Sequence, residues 1–271
     1  MKKLNRENPN KKSLDIDFPL EGFIDTHIHT YPDIKPRLMT DLEAAVSAKE
    51  EKMHSIVIKS HHEPTSGRAL IASEVTDFPV YGGVVLNRSL GGLNSNAVEA
   101  SALIGGRFVW FPTVSYSSLV MDWSEVEDIL NIVKENQMVL ATGHLKPADI
   151  FTLIDMARSL GIWRIVVNHP LTKVVGANLD EQVEMAAHAY LEHCFVACME
   201  NHDNLDPRLI NDSIKEIGAK RCLMATDFGQ IHNPRPVDGM KLFINSMLQM
   251  GVSVEDIQIM CKDNPKKLIM V

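Results

Sequence analysis

Short β-branched apolar runs recur along the chain at near-constant spacing, and this recurrence limits the folds open to it. The runs are FIDTHIHT from Phe23, SIVIKS from Ser55, VYGGVVLN from Val80, FVWFPTV from Phe108, MVLATGHL from Met138, RIVVNHP from Arg164, CFVACMEN from Cys194 and RCLMATDFG from Arg221. They make eight, starting 25 to 32 residues apart. Near-continuous apolar runs of this length suit strands buried on both faces of a parallel sheet. The segments between them carry helix signals. Thr40 with Glu43, and Ser124 with Glu127, have capping-box spacing. Ile150, Leu153, Ile154 and Ala157 form one apolar stripe, and Pro147, Pro207 and Pro236 stand where first helical turns begin. Eight strand–helix units predict a single-domain α/β fold, a (β/α)8 TIM-type barrel over residues 21–271, with residues 1–20 as a tail or strap. An open doubly wound sheet would need a glycine-rich phosphate turn after its first strand, and Thr26, His27, Ile28 and His29 are nothing like one.

Composition removes several classes of function. The chain has 271 residues and a net charge of −8, so it gains nothing from counterion release and nucleic acid is not an expected partner. The opening MKKLNRENPNKK lacks the apolar core of a signal peptide, and no later run is long and apolar enough to span a bilayer. These features predict a cytoplasmic protein without a membrane partner; a homo-oligomer is compatible with them. Cys194, Cys198, Cys222 and Cys261 form no C-x-x-C pair and read as small hydrophobes.

The histidines are unevenly distributed. Barrel active sites lie at the C-terminal ends of the strands. Of the 11 histidines, His27, His29, His61, His62, His144, His169, His202 and His232 fall at a predicted strand end or just beyond one. His54 precedes the second strand, and His188 and His193 fall in the predicted sixth helix. His27 and His29 alternate by two, so both point to one side, and Asp25 shares that side one step deeper, where it would orient a histidine. Lys59 and His61 alternate likewise, while His62 points away. Lys59 reads either as a cation beside a metal or as the partner of Asp25 or Glu200 in an ion pair. Asp227 ends the eighth strand as a metal ligand or a turn acid. Asn87, Arg88 and Arg37 lie in mouth-side loops suited to an anionic substrate. Asn94 or Ser95 would cap the helix after Gly91 and Gly92, and Trp110 and Phe111 read as core.

Taken together, these residues resemble the amidohydrolase superfamily: H-x-H on the first strand, histidines ending the fifth and sixth, and aspartate ending the eighth. The tail DNPKKLIMV is similar to an N-P-x-x-L ending common there. KSHHEPT, VVLNRSLGGLN, WFPT and DFGQ further resemble an uncharacterised branch of metal-dependent hydrolases, a likeness that names no substrate. The resemblance implies a metal on His27, His29, His144, His169 and Asp227. One departure stands out: the fourth strand offers no bridging lysine or glutamate. The site then holds one ion, or Lys59 supplies a carbamate from a new position, or Glu200 bridges; one ion is favoured over two.

Imidazole and carboxylate donors suit zinc first, then manganese, iron or nickel. The implied chemistry is hydrolysis of an amide, lactone or related ester of a small, anionic molecule. Asp227 would move the water's proton, and His169 or Lys59 would stabilise the oxyanion. A metal-dependent decarboxylase or lyase is the alternative, followed by a non-catalytic metal or ligand-binding barrel and a phosphoesterase with its own histidine-rich barrel.

Overall fold

The computed structural model of this chain describes residues 17–114 and 121–270. Its strands are β1 (Ile24–Ile28), β2 (Ser55–Ile58), β3 (Val80–Tyr81), β4 (Gly83–Val85), β5 (Phe108–Trp110), β6 (Val139–Ala141), β7 (Ile165–Asn168), β8 (Tyr190–Cys194) and β9 (Cys222–Ala225). Helices α1 (Asp41–Glu50), α2 (Ser66–Thr76), α3 (Ser95–Leu103), α4 (Trp123–Glu135), α5 (Pro147–Ser159), α6 (Leu179–Ala186), α7 (Pro207–Ile217) and α8 (Pro236–Gln249) lie between and after them. Two shorter helices, α9 (Val254–Gln258) and α10 (Asn264–Ile269), end the described chain. Every strand pair is parallel, in the orders β1-β2-β3 and β4-β5-β6-β7-β8-β9.

The third predicted strand is divided between β3 and β4. Gly82 interrupts it, because the loop after β2 enters there. Thr65 donates its backbone N–H to Gly83 O at 2.8 Å, and its Oγ1 accepts from Gly83 N at 3.0 Å. A Cβ on Gly82 would meet the Thr65 backbone, so only glycine permits this approach. At the other end of the strand order, the chain beyond β9 meets β1. Ile28 bridges Phe228 in parallel, Asp227 N donates to His27 O at 2.8 Å, and His29 N donates to Phe228 O at 2.7 Å. The result is a parallel-strand α/β fold.

Most helix signals hold. Thr40 and Glu43 form a complete capping box on α1, Asn94 caps α3, and Pro147, Pro207 and Pro236 open α5, α7 and α8. Ile150, Leu153, Ile154 and Ala157 are the buried face of α5. The Ser124–Glu127 box does not form: α4 starts earlier, with Asp122 accepting from Ser124 N. Trp110 and Phe111 are buried, as are Cys194, Cys222 and Cys261. Trp110 packs with Ile24, Val57, Phe108, Val166 and Leu223 in one of three apolar clusters.

The expected tail lies mostly outside the described residues. In its last part, Phe18 and Leu20 pack into the core and Asp17 pairs with Lys241 at 2.8 Å, contacts that fit the strap alternative. Among the described residues, no helix is long and apolar enough to cross a membrane.

Candidate active site

Five imidazoles form a ring of contacts at the C-terminal ends of the strands. Ring centroids lie 5.4 Å apart for His27 and His29, 4.8 Å for His29 and His61, and 5.9 Å for His61 and His144. The circuit closes through His144 and His169 at 4.9 Å and His27 and His169 at 6.0 Å. Asp227 meets this ring: its Oδ1 lies 3.3 Å from His27 Nε2 and 3.0 Å from His29 Nε2. Lys59, 1% exposed, places Nζ 3.1 Å from His27 Nε2. His27, His29, His61, His144, His169, Lys59 and Asp227 are therefore brought together from five separate strand ends.

Hydrogen bonds fix two of the rings. His27 Nδ1 lies 2.9 Å from Glu192 Oε2, an acceptor that holds the ring proton on Nδ1 and leaves the Nε2 lone pair toward Asp227. Thr172 Oγ1 donates to His169 O at 2.7 Å, so it accepts from His169 Nδ1 at 3.0 Å, and the His169 Nε2 lone pair is free as well. Glu192 is held in turn by Thr26 Oγ1 at 2.6 Å and Asn168 Nδ2 at 2.7 Å. His61 leans on Thr113 Oγ1 at 2.7 Å. His29 Nδ1 is buried without a hydrogen-bond partner, so its ring is located from the Nε2 side.

Burial dominates the electrostatics. It pushes His29 down to about 3, His144 to about 2 and His169 to about 4, and it lowers His61 well below the ordinary range, so these rings stay neutral and keep their lone pairs. Burial also pulls the Lys59 ammonium down, against the opposing charges of Asp227 and Glu192. It would push Asp227 and Glu192 up, but the His27 imidazole between them and the site's hydrogen bonds hold both carboxyls below their usual range. His169 and Asp227 take left-handed backbone angles, φ 29° and 55°, which are uncommon outside glycine and cluster at functional positions.

Two imidazole nitrogens meeting one carboxylate oxygen are a donor set suited to a divalent cation. His27, Cys194 and Asp227 also carry ligand atoms within 4.8 Å of one another. Cys194 fits less well than His29, because its Sγ lies 3.7 Å from His27 Nδ1, the nitrogen committed to Glu192. The Nε2 face, with His29 and Asp227, is the better match to one ion.

Several expected residues do not join this cluster. Asp25 does not share the His27 side. The β1–β2 register shifts between Asp25 and Ile28, and Asp25 turns outward beside Ala44, Ala48, Ile56 and Val237. There burial raises its carboxyl to about 7, and its oxygens accept from Thr226 N at 3.1 Å and Thr226 Oγ1 at 2.6 Å. Asp25 thus anchors the strand end that aims Asp227, and it touches no histidine ring. Glu200 is exposed in a turn beyond the 3-10 segment Phe195–Cys198, too late in the chain to bridge. Neither acid pairs with Lys59, which has no carboxylate within 4 Å among the described residues. Asn87 is fully buried behind the site; its amide donates to His61 O and Thr113 Oγ1 and accepts from Thr113 N and Val114 N. These bonds tie Asn87 to the His61 and Thr113 segments behind the ring. Arg37 is paired with Asp33 at 2.8 Å, and Arg88 is exposed at the start of the 3-10 turn Arg88–Leu90. His193 lies on β8, not in a helix, and its neighbour Glu192 is the functional residue that sequence reasoning missed.

A family model described as a family of unknown function, DUF6282, matches residues 22–192. The chain belongs to this family. No curated protein matches the DUF6282 chain in sequence. Among solved structures it is similar to a probable 2-pyrone-4,6-dicarboxylic acid hydrolase from Acinetobacter baumannii with citric acid bound. The TM-score is 0.67 at 13% identity, covering 92% of this chain and 100% of that one. It is similar to the phosphotriesterase homology protein from Escherichia coli complexed with phosphate, with TM-score 0.66 at 13% identity, covering 93% and 100%. An organophosphorus hydrolase from Deinococcus radiodurans gives 0.64 at 14%, covering 93% of each chain. These likenesses place the DUF6282 chain with TIM-barrel hydrolases in fold.

Proposed function

We propose that this protein is a metal-dependent hydrolase of the amidohydrolase type, built on a closed eight-unit barrel. It would cleave a lactone, amide or related ester of a small anionic molecule. The observation that carries this reading is the meeting of His27 Nε2 and His29 Nε2 on one oxygen of Asp227. Zinc suits these donors best, with His169 and His144 at the edge of the same site. Bound there, a divalent ion supplies a water of lowered pKa and an electrophilic position for the substrate's carbonyl or phosphoryl oxygen.

The chain's own residues account for the rest. Glu192 keeps His27 in the tautomer that offers Nε2. Asp227, its carboxylate held ionised, takes a proton from the attacking water and passes it to the leaving group. The Lys59 amine, enclosed beside His27, supports negative charge developing on the substrate oxygen. A cavity of about 180 Å³, lined in part by His144, His169, Thr172, His202 and Asp227, gives a small molecule access. The citric acid and phosphate bound by two structural relatives agree with an anionic ligand.

Zinc-loaded protein offered a panel of lactones and phosphotriesters tests the proposal. We expect turnover that is lost with chelator and restored by zinc. Asp227→Asn should lose turnover by about 10²-fold or more, and Lys59→Met should lower turnover with metal content unchanged. Release of carbon dioxide without hydrolysis would point to a lyase instead.

A further inference from the structure

The mouth carries a second imidazole pair that the deep cluster does not use. His202 stands in the loop between β8 and α7, and His232 in the loop between β9 and α8. Both are exposed at the rim, on loops braced by hydrogen bonds of their neighbours. His202 donates its backbone N–H to Met199 O at 3.0 Å, and Leu205 N donates to Ala197 O at 2.9 Å. Across the mouth, Asn233 donates from its amide to Gln230 Oε1 at 2.8 Å, and Gln230 donates to Asp227 O at 2.9 Å. On these loops the rings place their Nε2 atoms 3.2 Å apart, with centroids at 5.3 Å.

Hydrogen bonding alone serves this arrangement poorly. A ring nitrogen has one lone pair. At His202 Nε2, both His232 Nε2 and the Asn233 amide nitrogen, at 3.3 Å, approach the same atom. A cation suits the spacing better. An ion bonded at about 2.0–2.1 Å to each of two nitrogens, at a tetrahedral angle, separates them by about 3.3 Å.

We propose that His202 and His232 form a second, shallow site for a divalent transition-metal ion of the zinc or nickel kind, at the rim and separate from the deep cluster. Imidazole nitrogen selects such ions over magnesium and calcium. Two protein ligands leave other positions to water or to an anion entering the cavity, which His202 lines together with His144, His169 and Asp227. With fewer protein ligands than the deep cluster, the rim pair fills only at higher metal concentration. An ion there narrows the way in.

Calorimetric titration of the metal-free full chain with Zn²⁺ tests this. A tight step and a weaker step are expected. His202→Ala and His232→Ala should each remove the weaker step and keep the tight one, while His29→Ala should remove the tight step and keep the weaker. Both rim side chains are exposed, so an unchanged unfolding midpoint checks that those variants fold. A weaker step that survives both rim substitutions, or a wild type with the tight step alone, overturns the rim site and leaves the deep site standing. A weaker step lost with His202→Ala, in a wild type lacking the tight one, supports the rim site and overturns the deep one.

Discussion

A histidine offers a lone pair from one ring nitrogen only when the other nitrogen holds the proton, and at His27 that choice falls to Glu192. The carboxylate is buried and takes hydrogen bonds from His27, Thr26 and Asn168, with the Cys194 thiol at 3.6 Å. Glu192→Gln keeps the shape and removes the charge. We expect metal affinity to fall by about 10–100-fold with the unfolding midpoint little changed, measured by competition with a chelator of known affinity. An unchanged affinity would reduce Glu192 to a packing role. The sequence concealed this residue for a physical reason: an acid between Leu191 and His193 looks unfit for a buried strand until its partners, 24 to 166 positions away, are known.

At the scale of elements, the seventh strand shows how this concealment spread. The run from Cys194 is the more apolar, and hydrophobic pattern alone places the strand there. The fold uses Tyr190–Cys194 and turns the following residues, Phe195–Cys198, into a 3-10 segment, which carries Glu200 out to solvent. The outward turn of Asp25 has a comparable origin, since strict alternation cannot foresee the register shift after it. Most purely local signals matched: the α1 capping box, the Asn94 cap and the prolines opening α5, α7 and α8 depend on neighbours within a turn, although the Ser124–Glu127 box did not form. The junction beyond β9 supplies a test at this scale. Gly229 has φ 134°, and a Cβ there would run into the His29 carbonyl. Gly229→Ala should cost about 2–3 kcal/mol and lower metal content, because relief of that clash moves His29. Thermal unfolding and metal analysis read both, and wild-type values for both would mean that the junction does not position the site.

For the whole molecule, burying so many neutral histidines makes stability depend on pH. His29, His144, His169 and His193 are pushed by burial to about 3, 2, 4 and 4, against an ordinary 6.5. Between pH 6.5 and about 4 the unfolded chain therefore binds protons that the folded chain refuses, and stability falls as pH falls. Asp25 acts in the opposite sense. Its carboxyl, raised to about 7, keeps a proton that the unfolded chain releases above 3.8, so its contribution is lost as pH rises toward 7. Four histidines outweigh one acid. Urea unfolding of the metal-free protein should give a lower free energy at pH 5 than at pH 7; an equal or higher value at pH 5 would contradict this account of the buried rings. The regular spacing of apolar runs and the histidines at their ends made the parallel α/β fold and the gathering of most candidate residues at one end legible, because both follow from local pattern and strand ends. What pattern left out were the long-range partners that make buried charge tolerable. The central claim is that those strand ends converge on a metal, and anomalous diffraction from zinc-loaded crystals tests it most directly. The account predicts a peak about 2.0–2.2 Å from His27 Nε2, His29 Nε2 and an Asp227 oxygen. Zinc-loaded crystals without a peak at these three atoms, or with one centred on Cys194 instead, would contradict it.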